Sequence, residues 1–160
     1  EAEWSFAAQG GTSAPEQGQT YPWGEEPHGC GRAVLRHQSR GEGCGLGGTA
    51  PVCSAPQGHT EQGLCDLIGN VWEWTRELYA PYDHPPEAMS SPPSTDELAA
   101  WPRVARGGGW RSERLESLRL SNRLSLSPHT RRLDVGLRLT RSTPPTPPLP
   151  SHPPHPLKEP

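Results

Sequence analysis

The sequence predicts an irregular, loop-rich α+β domain with few helices and short strands, and three observations carry that expectation. Pro 21 and Gly 18 make up about a quarter of the 160 residues, near the level at which aperiodic chains are dominated by loops. Only 31% of the residues are hydrophobic, so the loops need pinning by something besides apolar area, such as metal ions or cross-links. Periodic segments are short, and the stretches between them show neither the helical nor the strand period.

Residues 1–8 read as the end of an amphipathic helix whose stripe is Trp4, Ala7 and Ala8, at i, i+3 and i+4. Gly10-Gly11 ends it, and from Thr12 to Gln62 the chain is dense in Gly, Pro, Ser and Thr. Gly63 to Tyr79 is the most ordered-looking stretch: Leu64, Leu67, Ile68, Val71, Trp72 and Trp74 crowd around a Gly69-Asn70 turn, followed by a strand or short helix. Pro81 to Pro102 reads as a surface loop. Leu118, Leu120, Leu124 and Leu126 alternate with polar residues and predict a half-buried strand; Leu137 and Leu139 predict a second, closing the domain near Arg141. Residues 142–160 hold nine Pro and two His, a composition that suits a flexible polyproline tail. Residues 1–141 therefore form the domain and 142–160 a tail, and the uncapped helix at Glu1 leads us to expect an upstream part beyond this sequence.

The net charge of −3 points to neither a nucleic-acid binder nor an acidic tail protein. It is unevenly spread: Arg103 to Arg141 holds ten Arg against Glu113, Glu116 and Asp134, a local balance of +7. Such a segment can bind nucleic acid, with a steep salt dependence, but arginines on strands and turns more often pair with carboxylates of their own fold. The bias of Arg over a single Lys, Lys158, reads as genome composition. No run of 18 apolar residues predicts a membrane span, and no export signal opens the chain.

Cys30, Cys44, Cys53 and Cys65 lack the paired spacing of a zinc ribbon. Two disulfides suit a loop-rich domain with a thin core and imply an extracytoplasmic location. Pairing Cys30 with Cys44 and Cys53 with Cys65 encloses the shortest loops, but spacing does not choose among the three connectivities, and four reduced thiols in a cytosolic protein are the alternative. Ser112, His129 and Asp134 can be assembled on paper into a hydrolytic triad, for which the sequence offers no support.

Six segments occur in an order that resembles the formylglycine-generating-enzyme, or sulfatase-modifying-factor, family. They are Glu1-Ala2-Glu3-Trp4-Ser5-Phe6-Ala7-Ala8, Tyr21-Pro22-Trp23-Gly24, Gly48-Thr49-Ala50-Pro51-Val52, the run from Gly63 to Trp74 with its Gly69-Asn70-Val71-Trp72-Glu73-Trp74 core, Arg103-Val104-Ala105-Arg106-Gly107-Gly108-Gly109-Trp110, and Gly136-Leu137-Arg138-Leu139. The resemblance covers residues 1–141. It implies a variant of the C-type-lectin-like fold, with short antiparallel strands. It also implies a calcium ion held by the side chains of Asp66 and Glu73 and the carbonyls of Gly69 and Val71, an oxygen set of the kind a hard cation requires. The family's second calcium site is poorly matched between Cys30 and Gly48.

The family oxidase binds Cu(I) through two thiolates five residues apart, and these positions fall on Ser112 and Ser117. A hydroxyl is neither soft nor readily ionised near neutral pH, and no cysteine follows Cys65, so copper is not expected. The first functional expectation is a calcium-stabilised, non-catalytic pseudoenzyme that binds a peptide, protein or small molecule in the family groove, bordered by Trp72, Trp110, Arg111, Arg114, Arg119 and Arg123. The alternative is a component of an oxidase or oxygenase, of the formylglycine-generating or sulfoxide-synthase type, with metal ligands supplied from upstream.

Overall fold

The computed structural model describes residues 1–11, 19–83 and 94–140. Among the described residues two helices, α1 (Ala2–Ala8) and α2 (Thr95–Ala100), accompany four strands, β1 (Trp72–Leu78), β2 (Arg103–Arg106), β3 (Leu124–Leu126) and β4 (Val135–Leu137). The rest of the described chain is turns, including short 3-10 turns at Pro56–Gly58 and Leu115–Leu118, so the loop-rich α+β expectation holds. The expected tail at 142–160 and the domain end near Arg141 lie outside the described residues.

The strands form one sheet in the order β3-β2-β1-β4. β2 runs antiparallel to both β1 and β3, but β4 lies parallel to β1, pairing Trp72 with Val135 and Glu73 with Gly136. The sheet is thus mixed, where the resemblance implied antiparallel strands. A register shift between Trp74 and Leu78 interrupts the β1–β2 ladder.

Apolar side chains gather in two places. Trp72, Ala105 and Leu126 are buried on the sheet, with Trp74, Leu124 and Val135 packed against them. A larger cluster lies among the loops: Ala8, Tyr21, Ala33, Leu35, Leu67, Ile68, Leu118 and Leu120, joined by Trp4 and Trp23. α1 contributes to it as expected, through Ala8 and Trp4, although Ala7 is only half-buried.

Three local expectations are corrected. The strand over 118–126 reduces to β3, because the backbone around Leu118 and Leu120 follows a turn and Leu120 N–H donates to the Thr20 carbonyl rather than to a neighbouring strand. Leu118 and Leu120 are nonetheless buried and Arg119 and Ser121 exposed, so the alternation reported burial and not a ladder. At 137–139 the polarity is inverted: Leu137 and Leu139 are 66% and 87% exposed while Arg138 turns inward. An arginine with a buried carboxylate to meet outcompetes two leucines for the inward face. Finally, the loop read over 81–102 contains α2. Its start carries a capping box, in which Glu97 N–H donates to Ser94 Oγ and Ser94 N–H donates to the Glu97 carboxylate. The Ser94-x-x-Glu97 spacing is the sequence signal that marks this helix start.

Two disulfides, Cys30–Cys44 and Cys53–Cys65, cross-link the loop half. No helix among the described residues is long and apolar enough to cross a membrane.

Candidate functional site

The Gly69 turn is built by backbone approach. Gly69 has φ +81°, and a Cβ there would stand 2.5 Å from the Val34 carbonyl oxygen, so only glycine allows the 33–35 loop to pack this closely. Gly69 N–H donates to the Gly107 carbonyl, Asn70 N–H to Val34, and Trp110 N–H to Asn70. The Asn70 amide clamps Ala50, accepting from its N–H and donating to its carbonyl. One turn therefore joins four segments that are far apart in sequence.

Asp66 and Asn70 also sit at positive φ, +56° and +60°. For residues with a Cβ, this is a conformation that surrounding structure must enforce. Asp66, Asn70, Val71 and Glu73 line one small cavity of about 150 Å³ with Cys65, Val52, Leu137 and Arg138. Three of the four residues expected at calcium thus share a cavity. Gly69 shapes the turn beside it. Asp66 accepts the Cys53 N–H through one oxygen at 2.7 Å. The Glu73 carboxylate is buried; it accepts from Trp4 Nε1 at 2.8 Å and pairs with the Arg138 guanidinium at 2.7 Å. Arg138 in turn donates to the Cys65 carbonyl. Two carboxylates on one cavity are of the donor type a hard cation takes, although both Glu73 oxygens are engaged by Arg138 and Trp4.

Ser112 and Ser117 meet at Gly108. A Cβ at Gly108 would stand 3.4 Å from Ser112 Oγ and 3.0 Å from the Ser117 carbonyl oxygen. Ser112 Oγ accepts the Gly109 N–H at 3.0 Å, and Ser112 N–H donates to the Gly109 carbonyl, so the hydroxyl closes a turn. All four cysteines are held in disulfides; Cys44 neighbours Gly43, whose N–H donates to the Trp110 carbonyl of this turn.

The six side chains expected to border one groove do not share a surface. Trp72 and Trp110 are buried, and Trp110 Nε1 donates to the Leu133 carbonyl. Arg123 is locked between Glu1, the Ala80 carbonyl and the rings of Tyr79 and Tyr82. Arg119 is exposed and lies beside Thr20, whose carbonyl accepts the Leu120 N–H. Arg111 and Arg114 remain as exposed cations flanking the serine turn, with Arg111 4.3 Å over the Trp110 ring.

A recess that the sequence did not announce lies on the sheet edge. It has a volume of about 370 Å³ and is lined by Trp74, Thr130, Arg131, Arg132, Leu133 and Val135. Arg132 forms a two-pronged pair with buried Asp134, at 2.9 and 2.6 Å. Burial pushes the Asp134 carboxyl upward, but the Arg132 hydrogen bonds and charge, with the field of Arg111, outweigh it and hold the group below its ordinary value. This engagement also removes Asp134 from any triad, since His129 is exposed and Ser112 is turned to Gly109. The Thr130-Arg131-Arg132 run was visible in the sequence, but its facing of Trp74 depends on the parallel pairing of β4.

Comparisons with known proteins agree with this architecture. Residues 1–143 match the family model described as sulfatase-modifying factor enzyme 1-like domain. The chain is 37% identical over 114 residues to the formylglycine-generating enzyme of Mycobacterium tuberculosis, covering 66% of this chain and 36% of that protein. It is 40% identical over 89 residues to the inactive C-alpha-formylglycine-generating enzyme 2 of Bos taurus, covering 52% of this chain and 27% of the relative. Among solved structures, Treponema denticola variable protein 1 superposes with a TM-score of 0.57 at 26% identity, covering 85% of this chain and 44% of that one. The chain thus spans about a third of the length of the curated relatives it matches. On the family match and the shared fold, this chain belongs to the sulfatase-modifying factor enzyme 1-like domain family.

Proposed function

We propose that the chain is a non-catalytic recognition module of its family. The observation that carries this reading is the serine turn: the positions that would need two thiolates for Cu(I) hold Ser112 and Ser117, and the Ser112 hydroxyl is committed to the Gly109 backbone. That curated relatives include proteins named as inactive formylglycine-generating enzymes supports it. The two disulfides support an oxidising, extracytoplasmic setting.

The recognition surface in this reading is the recess beside Trp74, with Arg131 as its exposed cation and Arg111 nearby on Trp110. Its ligand is a peptide or small molecule carrying a carboxylate, because an indole wall and guanidinium groups together favour a flat or apolar body with an acidic end. The turn at Gly69 holds a calcium ion through Asp66, Glu73 and the carbonyls of Gly69 and Val71. That ion stabilises the junction of the four segments described above. The oxidase reading requires soft ligands from outside these residues.

The deciding experiment is a Cu(I) competition titration with a chromogenic chelator, on a Cys53→Ser/Cys65→Ser background so that those sulfurs take no part. Unchanged Ser112 and Ser117 are expected to take up no copper, and Ser112→Cys/Ser117→Cys to take up one equivalent. A single tight Cu(I) bound without the new cysteines would overturn the reading. Calcium is checked by melting with and without chelator: a drop in Tm is expected for the native chain and no change for Asp66→Asn. An equal response in both would remove the proposed ligand set.

A further inference from the structure

Cys53, His59 and Cys65 bring one imidazole nitrogen and two sulfurs within 4.8 Å of one another. His59 Nε2 is buried and has no hydrogen-bond partner among the described residues, an unusual state for a ring nitrogen that needs an explanation. The arms that carry these three residues are tied together without the disulfide. Cys53 N–H donates to Asp66 at 2.7 Å, and Thr60 N–H donates to the Leu64 carbonyl while Leu64 N–H donates to Thr60 Oγ1. The turn before His59 is pinned as well, since a Cβ on Gly58 would stand 1.7 Å from the Arg32 carbonyl oxygen. Cys53 is exposed and Cys65 partly so, leaving the sulfurs open to reagents.

We propose that Cys53, His59 and Cys65 form a redox-gated site for a thiophilic divalent cation of the zinc class, closed by the disulfide and opened by reduction. An external dithiol supplies the electrons: its thiolate attacks one sulfur of Cys53–Cys65, its second thiol resolves the mixed disulfide, and it departs oxidised while the two cysteines are left as thiols. The cation then binds with loss of both thiol protons to solvent, and the His59 Nε2 lone pair makes the third bond. Tetrahedral Zn²⁺ with Zn–S of about 2.3 Å places its ligand atoms a little under 4 Å apart, so the two sulfurs must part from bonding distance once reduced, while the imidazole nitrogen already lies within 4.8 Å of both. Three protein ligands leave the fourth position to water. Cys30 and Cys44 have no comparable partner among the described residues, which makes them the internal control. The site is separate from the serine turn and stands whether or not the recognition reading is right.

The test is anaerobic Co²⁺ titration of the whole chain, reduced and oxidised, followed by optical spectroscopy. Reduced protein is expected to bind one equivalent with thiolate-to-cobalt charge transfer and tetrahedral d–d bands. The oxidised protein should show neither. Cys30→Ser/Cys44→Ser should keep both signals when reduced. His59→Gln should bind at least about tenfold more weakly, since even outer-shell partners of metal ligands are worth that much. If reduction loosens the fold, Zn²⁺ should restore a cooperative melt to the native chain and not to His59→Gln. Absence of charge transfer in the reduced chain, or binding by His59→Gln as tight as native, would overturn the proposal. Calcium at Asp66 and Glu73 gives no thiolate band, so the two metal readings fail independently.

Discussion

The two halves of this domain are held by different chemistry. Residues 30–65 carry all four cysteines and two disulfides, with little regular structure, whereas residues 103–137 carry no cysteine and supply three of the four strands. The loop half relies on covalent links, glycine-permitted close contacts and hydrogen bonds such as the Asn70 clamp on Ala50. The sheet half relies on Trp72, Ala105, Leu126 and charged groups paired inside, notably Glu73 with Arg138 and Asp134 with Arg132. The difference lies in what does the holding: disulfide sulfur in the loop half, carboxylate–guanidinium pairs inside the sheet half.

The largest expected effect tests the sheet. Trp72→Ala removes the main buried side chain of that cluster and should destabilise the chain by about 3–5 kcal/mol in chemical denaturation. A much smaller loss would mean that the loop half carries the stability alone. Next comes the loop half itself: Cys30→Ser/Cys44→Ser opens a link between residues 14 apart and should cost about 3 kcal/mol. A cost below about 1 kcal/mol would show that backbone hydrogen bonds suffice there.

A smaller effect sharpens the electrostatic side of the contrast. The Asp134 carboxyl is held below its ordinary value, so its contribution is fully present above the unfolded-state value near 4 and is lost as pH falls through the lower folded-state value. Arg132→Gln should therefore raise the acid-unfolding midpoint and cost about 1 kcal/mol near neutral pH, discounted because Arg132 is 40% exposed. An unchanged acid limb would assign that sensitivity to another carboxylate. The smallest effect is at α2, which buries none of its residues: Ser94→Ala should cost about 0.5 kcal/mol, read as a small drop in Tm. A larger drop would mean that α2 supports the sheet through Arg103, whose guanidinium donates to the Leu98 carbonyl.

The sequence by itself determined the loop-rich class, the family, the helix at the start and the Gly69-Asn70 turn, because these depend on composition and on residues close together in the chain. It also showed which leucines of 118–126 are buried, through alternation. Tertiary structure alone decided the disulfide pairing, the parallel seat of β4 and the inward turn of Arg138, since each is a contact between segments distant in sequence. The same holds for His59 beside Cys53 and Cys65, and for Trp74 facing Arg131 and Arg132. A side chain's partner across space leaves no periodic mark on its neighbours, and a buried carboxylate such as Glu73 can redirect a whole strand face that hydrophobicity alone would have oriented the other way.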